Sequence, residues 1–193
     1  NWQRAVYAYL RETLEGQSED VIKYRPSVQE SLNIAEKKTG ASFALGCALG
    51  ALSAGASETA VAAMDIYGRA LGTIVQIHDD LELVEGLGQT RPQSLERFSN
   101  VALAYALERL PPELSAEAFS QIEAFRATNA SEAARRAFEI LVRAGARLFC
   151  AIEVARRWQR ASQALSEARL IPGPEQAALQ WLVDDKVNAF KAP

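Results

Sequence analysis

The chain is short of the residues from which zinc sites and disulfide scaffolds are built. Its 193 residues include two cysteines, Cys47 and Cys150, and a single histidine, His78. No Cys/His grouping has zinc-ligand spacing. Both thiols lie in apolar helical surroundings, where a buried free thiol is the ordinary reading. β-Branched clusters are few and no alternating strand pattern survives, which argues against a sheet. No basic patch interleaved with aromatics occurs. A net charge of −3 and a pI near 5.4 give no electrostatic ground for nucleic acid or an anionic membrane as partner. No uncharged apolar run reaches the roughly 20 residues that span a bilayer. The nearest, residues 41–56, holds three glycines and two serines and is stopped by Glu58. It is expected to be a core helix nearly surrounded by protein, with Gly46 and Gly50 letting other helices approach. There is no repeat with a period of about 20–50 residues. An initiator Met and a signal-peptide pattern are both absent. The chain is therefore expected to begin inside a longer protein and to be cytoplasmic.

What is present is 49% hydrophobic by count and rich in Ala and Leu, a balance that favours one all-helical domain over residues 1–193. The first helix is predicted over residues 1–22, with Val6, Tyr9, Leu10 and Leu14 along one stripe. Gly16 interrupts it at a cost of about 1 kcal/mol relative to alanine, which asks for a close-packing reason. Gln17 and Asp20, three apart, face the same way. They are either a polar helix face or part of a site. Ser27 and Glu30 form a capping box for a helix from Val28. That helix leads through Lys38 and Thr39 into the small-residue stretch. Lys38 is either a snorkelling surface lysine or an ammonium pointed at a phosphate.

A third helix is predicted over residues 59–84, buried through Val61, Met64, Ile66, Tyr67, Leu71, Ile74 and Val75. It ends in Gln76-Ile77-His78-Asp79-Asp80-Leu81-Glu82, with Gln76 and the aspartates on one side. Carboxylates are disfavoured at a helix C-terminus. The alternatives are a cation or phosphate site and a solvated helix end. His78, with no second His or Cys beside it, reads as structural rather than as a metal ligand. Beyond a loop at residues 85–93, helices are predicted at 95–110, 115–127, 132–147 and on through about 161. A last one covers 175–190, with Leu179, Leu182 and Val183 inward.

These residues resemble the trans-isoprenyl diphosphate synthase (polyprenyl synthetase) family. Gly16-Gln17-Ser18-Glu19-Asp20 is similar to its G-Q-x-x-D element, and Lys38-Thr39-Gly40-Ala41-Ser42-Phe43 to its K-T-[GA]-x-[LYS]-F element. Gln76 to Asp80 resembles the Q-x-x-D-D start of its second aspartate-rich motif. The resemblance spans nearly the whole chain but only the C-terminal two-thirds of a family member. It implies an all-α, isoprenoid-synthase-type bundle around a central cavity, whose N-terminal helices lie outside these residues. It also implies a homodimer that condenses isopentenyl diphosphate with an allylic diphosphate by Mg²⁺-dependent ionisation. Asp79, Asp80 and Glu82 would hold Mg²⁺. Lys38 and Gln76 would bind diphosphate, Thr39 would lie near the reacting carbon, and Gln17 and Asp20 would support the substrate. Nucleic acid and an integral membrane segment are not expected.

Three departures from the family pattern stand out. The first aspartate-rich motif is not in the chain, so residues 1–193 alone are expected to be inactive. Leu83 stands where the second motif ends in aspartate. The G-K-x-T-L-P segment has no counterpart, with Arg97 a loose substitute for its lysine. Three readings follow: an active synthase, a divergent non-catalytic or regulatory diphosphate-binding subunit, and a plain bundle with an incidental acidic pair.

Overall fold

The computed structural model describes residues 2–90, 92 and 99–188, and among them no strand occurs. The helices are α1 (Trp2–Ile22), α2 (Val28–Ala35), α3 (Ala41–Ser53), α4 (Glu58–Gly86), α5 (Val101–Arg109), α6 (Pro112–Thr128), α7 (Ser131–Leu141), α8 (Ala146–Glu167) and α9 (Pro174–Asn188). A π-helical turn, Glu36–Gly40, joins α2 to α3, and a 3₁₀ turn, Val142–Ala144, follows α7. The boundaries have local causes. At α2 the Glu30 carboxylate accepts from the Ser27 N–H at 2.9 Å, while the Glu30 N–H donates to Ser27 Oγ at 3.2 Å. This is the predicted capping box. The Lys23 ammonium, together with these donors, pulls the Glu30 carboxyl down to about 2. Asn129 ends α6 in the left-handed conformation, and Pro112 occupies its first turn.

Packing divides the chain into two compact units. The first comprises Asn1–Glu19, Asn33–Gln76 and Ala151–Pro193, and the second Asp20–Leu32 and Ile77–Cys150. In the first, Ala41, Ala44, Tyr67, Ile74, Val154, Ala161 and Val183 are buried. The Tyr67 hydroxyl there donates to the Leu179 carbonyl at 2.7 Å. In the second, α6 packs on α7, and Leu103, Ile122, Phe125, Ala134 and Leu141 form the interior.

Gly16 and Gly72 show why residues 36–40 sit where they do. A Cβ on Gly16 would lie 2.6 Å from the Lys38 backbone nitrogen, and one on Gly72 would lie 2.7 Å from the Thr39 carbonyl oxygen. Backbone therefore meets backbone on both sides of this turn. The packing reason that Gly16 asked for is the turn itself.

Several expectations are corrected. On α1 the inward side carries half-buried Tyr9 and Glu12 and buried Gly16, whereas Leu10 and Leu14 are exposed. The α3 segment buries only Ala41, Ala44 and Ala48, and its other face, including Phe43, is open. A Cβ on Gly46 or Gly50 would have nothing within 4 Å, so these glycines mediate no close approach. The helix expected across 132–161 is broken because Gly145 adopts φ 74° after the 3₁₀ turn. Ser99 and Asn100 precede the helix, so α5 starts at Val101; residues 95–98, and 189 and 190 at the other predicted helix end, lie outside the described residues. Leu182 is 40% exposed, while Val183 is buried. Cys47 is half-buried rather than buried, and burial followed by Asp65 pushes its thiol up to about 11.

A glycine in a helix interior normally costs about 1 kcal/mol against alanine, whereas overpacking costs about 1–3 kcal/mol. Gly72→Ala should therefore destabilise the protein, because its Cβ meets backbone that cannot turn aside. Gly46→Ala, in open space, should stabilise it by up to about 1 kcal/mol. Urea midpoints at unchanged m-value check the opposite signs.

Candidate functional site

Lys38 and Thr39 lie in the π-helical turn. Such turns widen the helix by one residue and recur at functional sites. The Thr39 hydroxyl donates to Gln76 Oε1 at 2.7 Å. Two of the expected site residues, 37 apart in sequence, are thus joined directly within the first unit. The neighbouring Lys37 pairs with Glu19 of α1 at 2.7 Å, and Lys38 is half-buried. Gln17, on α1, is half-buried as well.

In the second unit the acidic end of α4 divides its labour. Asp80 is buried, and one of its carboxylate oxygens accepts the Val101 N–H at 2.7 Å. The Asn100 side-chain amide donates to the Asp80 carbonyl at 2.7 Å, and Asn100 Oδ1 accepts the Leu103 N–H at 2.8 Å. Asp80 therefore places its negative charge at the amide-rich N-terminus of α5, where the helix dipole favours it. Asp20, also buried, accepts a hydrogen bond from Ser99 Oγ.

Asp79 and Glu82 are exposed and His78 is half-buried. One ligand-type atom from each of the three lies within 4.8 Å of the other two. His78 Nδ1 and Glu82 Oε1 are 3.6 Å apart. A pocket of about 630 Å³ borders this end of the helix, lined by Asp79, Glu82, Leu83, Glu85, Gly86 and Gln89. The Arg147 guanidinium donates to the Glu85 carboxylate through two bonds, at 2.8 and 2.7 Å. Carboxylate oxygens facing solvent suit a hard divalent cation, and Asp79 with Glu82 fits such an ion. One carboxylate oxygen of Asp80 is taken up by the Val101 N–H of α5. Sequence reasoning missed Ser99, Asn100 and Arg147. For Asn100 a signal exists: an Asn directly before an apolar helical run is an N-cap.

The fold is that of the polyprenyl synthases. The structure matches polyprenyl synthase from Roseobacter denitrificans with a TM-score of 0.79 at 23% identity, covering 97% of this chain and 63% of that one. It matches geranylgeranyl pyrophosphate synthase from Corynebacterium glutamicum, complexed with calcium and isoprenyl diphosphate, at 0.79 and 24%, covering 98% and 60%. A structure of that synthase with isoprenyl diphosphate and magnesium matches at 0.77 and 23%, covering 96% and 54%. The chain thus spans between 54% and 63% of the length of these structures. Residues 4–87 match the polyprenyl synthetase family model. That segment carries all three motifs from Gly16 to Asp80, so the resemblance read from them is borne out there. No curated protein sequence matches the chain. Among the described residues no helix is long and apolar enough to cross a membrane.

Asp79 and Asp80, adjacent in sequence, should separate in a stability experiment. Asp80→Ala leaves the Val101 N–H unsatisfied and should cost about 1–3 kcal/mol. Asp79→Ala, at an exposed position, should stay within about 0.5 kcal/mol. Equal effects in thermal unfolding would contradict the anchoring role given to Asp80.

Proposed function

We propose that the whole protein is a prenyltransferase that condenses isopentenyl diphosphate with an allylic diphosphate in a Mg²⁺-dependent reaction. The observation that carries this reading is the Thr39–Gln76 hydrogen bond at 2.7 Å. It fixes the two polar side chains of the family's second and third motifs against one another in a turn held by close backbone packing. Calcium or magnesium with isoprenyl diphosphate in the Corynebacterium glutamicum synthase structures supports a divalent ion and a diphosphate as ligands.

In this reading Lys38 offers its ammonium to a diphosphate oxygen, a point charge suited to that role. Gln76, which accepts from Thr39 through its carbonyl oxygen, binds the diphosphate or its water shell. Thr39 lies near the reacting carbon. Asp79 and Glu82 would hold Mg²⁺, with Asp80 orienting the helix end that carries them. When bound, the ion would neutralise charge that develops on the departing diphosphate. Gln17 and Asp20 support the substrate from α1. The working protein is proposed to be a homodimer.

Leu83 at the last position of the motif, together with the commitment of Asp80 to α5, favours a second reading. In it the protein binds diphosphates as a non-catalytic or regulatory subunit. Supplying the whole protein with labelled isopentenyl diphosphate, each common allylic primer and Mg²⁺ decides between the two. Chain-elongated product is the expected result. Diphosphate binding without product would leave only the subunit reading. Lys38→Ala should weaken diphosphate binding or turnover by about 100-fold, the scale of losing one well-placed charge-stabilising group.

A further inference from the structure

The charges that join α1 to α4 lie beside the π-helical turn that carries Lys38 and Thr39. Glu12 stands four residues before Gly16 and Arg69 three before Gly72, so each shares a helix face with the glycine that touches the turn. At the glycines, backbone of the turn separates the two helices. One helical turn earlier they meet directly, where the Arg69 guanidinium donates to both Glu12 carboxylate oxygens at 2.6 and 2.8 Å. Its Nε reaches Asp65 at 3.3 Å, and the Tyr9 hydroxyl of α1 donates to the other Asp65 oxygen at 2.6 Å. The Arg69 backbone also lies against the end of the turn. Thr73 Oγ1 donates to the Arg69 carbonyl at 2.7 Å. A Cβ on Gly40 would lie 3.0 Å from that hydroxyl oxygen and 3.2 Å from that carbonyl oxygen.

We propose that Glu12 and Arg69 are positioning residues of the candidate diphosphate site: their two-bond ion pair clamps α1 to α4 and so holds Lys38 and Thr39 in register with Gln76. This role rests on the reading that Lys38 and Gln76 bind diphosphate. A π-helical turn holds one residue more than the α-helix it interrupts. On a return to α geometry the chain slips by one residue, and side chains on the turn rotate by about 100° against α4. Thr39 would then no longer face Gln76, and their bond at 2.7 Å would break. What prevents the slip is the lack of space between Gly16 and Gly72, and that space stays closed only while α1 and α4 are held together. The Arg69–Glu12 pair suits the task. Its fork of charge-assisted bonds is strong and direction-specific, and the Arg69 side chain is only 18% exposed. Both residues act through Lys38 and Thr39 rather than on the ligand.

The test is whether their effect depends on Lys38. The whole protein is titrated calorimetrically with inorganic pyrophosphate and Mg²⁺. Arg69→Met should weaken binding at least about 10-fold, because a displacement of about 1 Å at a site costs up to about 100-fold. In a Lys38→Ala background the same change should cost less than about 3-fold, since residues that act as a unit are not additive. Glu12→Gln, which keeps the side-chain shape and one acceptor oxygen, should behave likewise, and it carries the test if Arg69→Met fails to fold. Full affinity in Glu12→Gln, or an equal loss with and without Lys38, would overturn the positioning role. Hydrogen exchange adds a readout that needs no ligand. Amides of residues 37–41 should exchange at least about 10-fold faster in Glu12→Gln, as a local opening does, while those of α9 stay unchanged. Uniform acceleration, or none, would also overturn the proposal. If the unaltered protein binds no pyrophosphate but its turn loosens in this way, the diphosphate reading falls and the clamp on the turn stands.

Discussion

The approach of two helices onto one turn of backbone is the constraint on which the candidate site rests. The turn Glu36–Gly40 is π-helical, a rare geometry that appears mostly as single turns, and it persists because its neighbours leave it no alternative. Gly16 of α1 meets it at Lys37 and Lys38, and Gly72 of α4 meets it at Thr39 and Gly40. Any side chain at either position would hold the helices apart, since protein interiors transmit such displacements rather than absorbing them. The hydrogen bond from Thr39 to Gln76 is a consequence of that contact, one helical turn beyond Gly72.

Around this contact the first unit places charge in partly buried surroundings and pairs it. The Arg69 guanidinium grips the Glu12 carboxylate at 2.6 and 2.8 Å and approaches Asp65 at 3.3 Å, while the Tyr9 hydroxyl donates to Asp65 at 2.6 Å. The hydrogen bond to Glu12 holds Arg69 firmly charged, and burial together with the bond to Asp65 keeps Tyr9 protonated. Removing one partner of such a set strands the others in a desolvated place, which costs more than the pairing gains. The network therefore fixes which faces of α1 and α4 can meet. It also explains why α1 turns a polar side inward and leaves Leu10 and Leu14 outside.

In the second unit the same economy appears at the acidic end of α4. Asp80 and Asn100 between them satisfy two amides at the start of α5 and the carbonyl of Asp80 itself. A carboxylate that would be unfavourable at its own helix C-terminus becomes favourable at the N-terminus of another. Its neighbours His78, Asp79 and Glu82 remain on the outer side, with their ligand atoms converging. Adjacent acidic residues thus take different tasks because about 100° of helix rotation sends them to different environments.

The sequence by itself determined the helical class, the capping box at Ser27 and Glu30, and the motif positions Lys38, Thr39, Gln76, Asp79 and Asp80. These depend on composition and on spacing within one or two turns, where local chemistry is decisive. It misjudged the inward side of α1 and the burial of α3, because apolar spacing does not reveal what else covers a helix. It placed no break at Gly145, since a glycine within a helical pattern adopts the left-handed conformation only when the surrounding chain requires it. Tertiary structure alone decided that Thr39 bonds Gln76, that Asp80 serves α5, and that His78 joins Asp79 and Glu82. Each depends on atoms brought together by rotation about a helix axis or by contacts many residues apart, and a one-dimensional pattern carries neither.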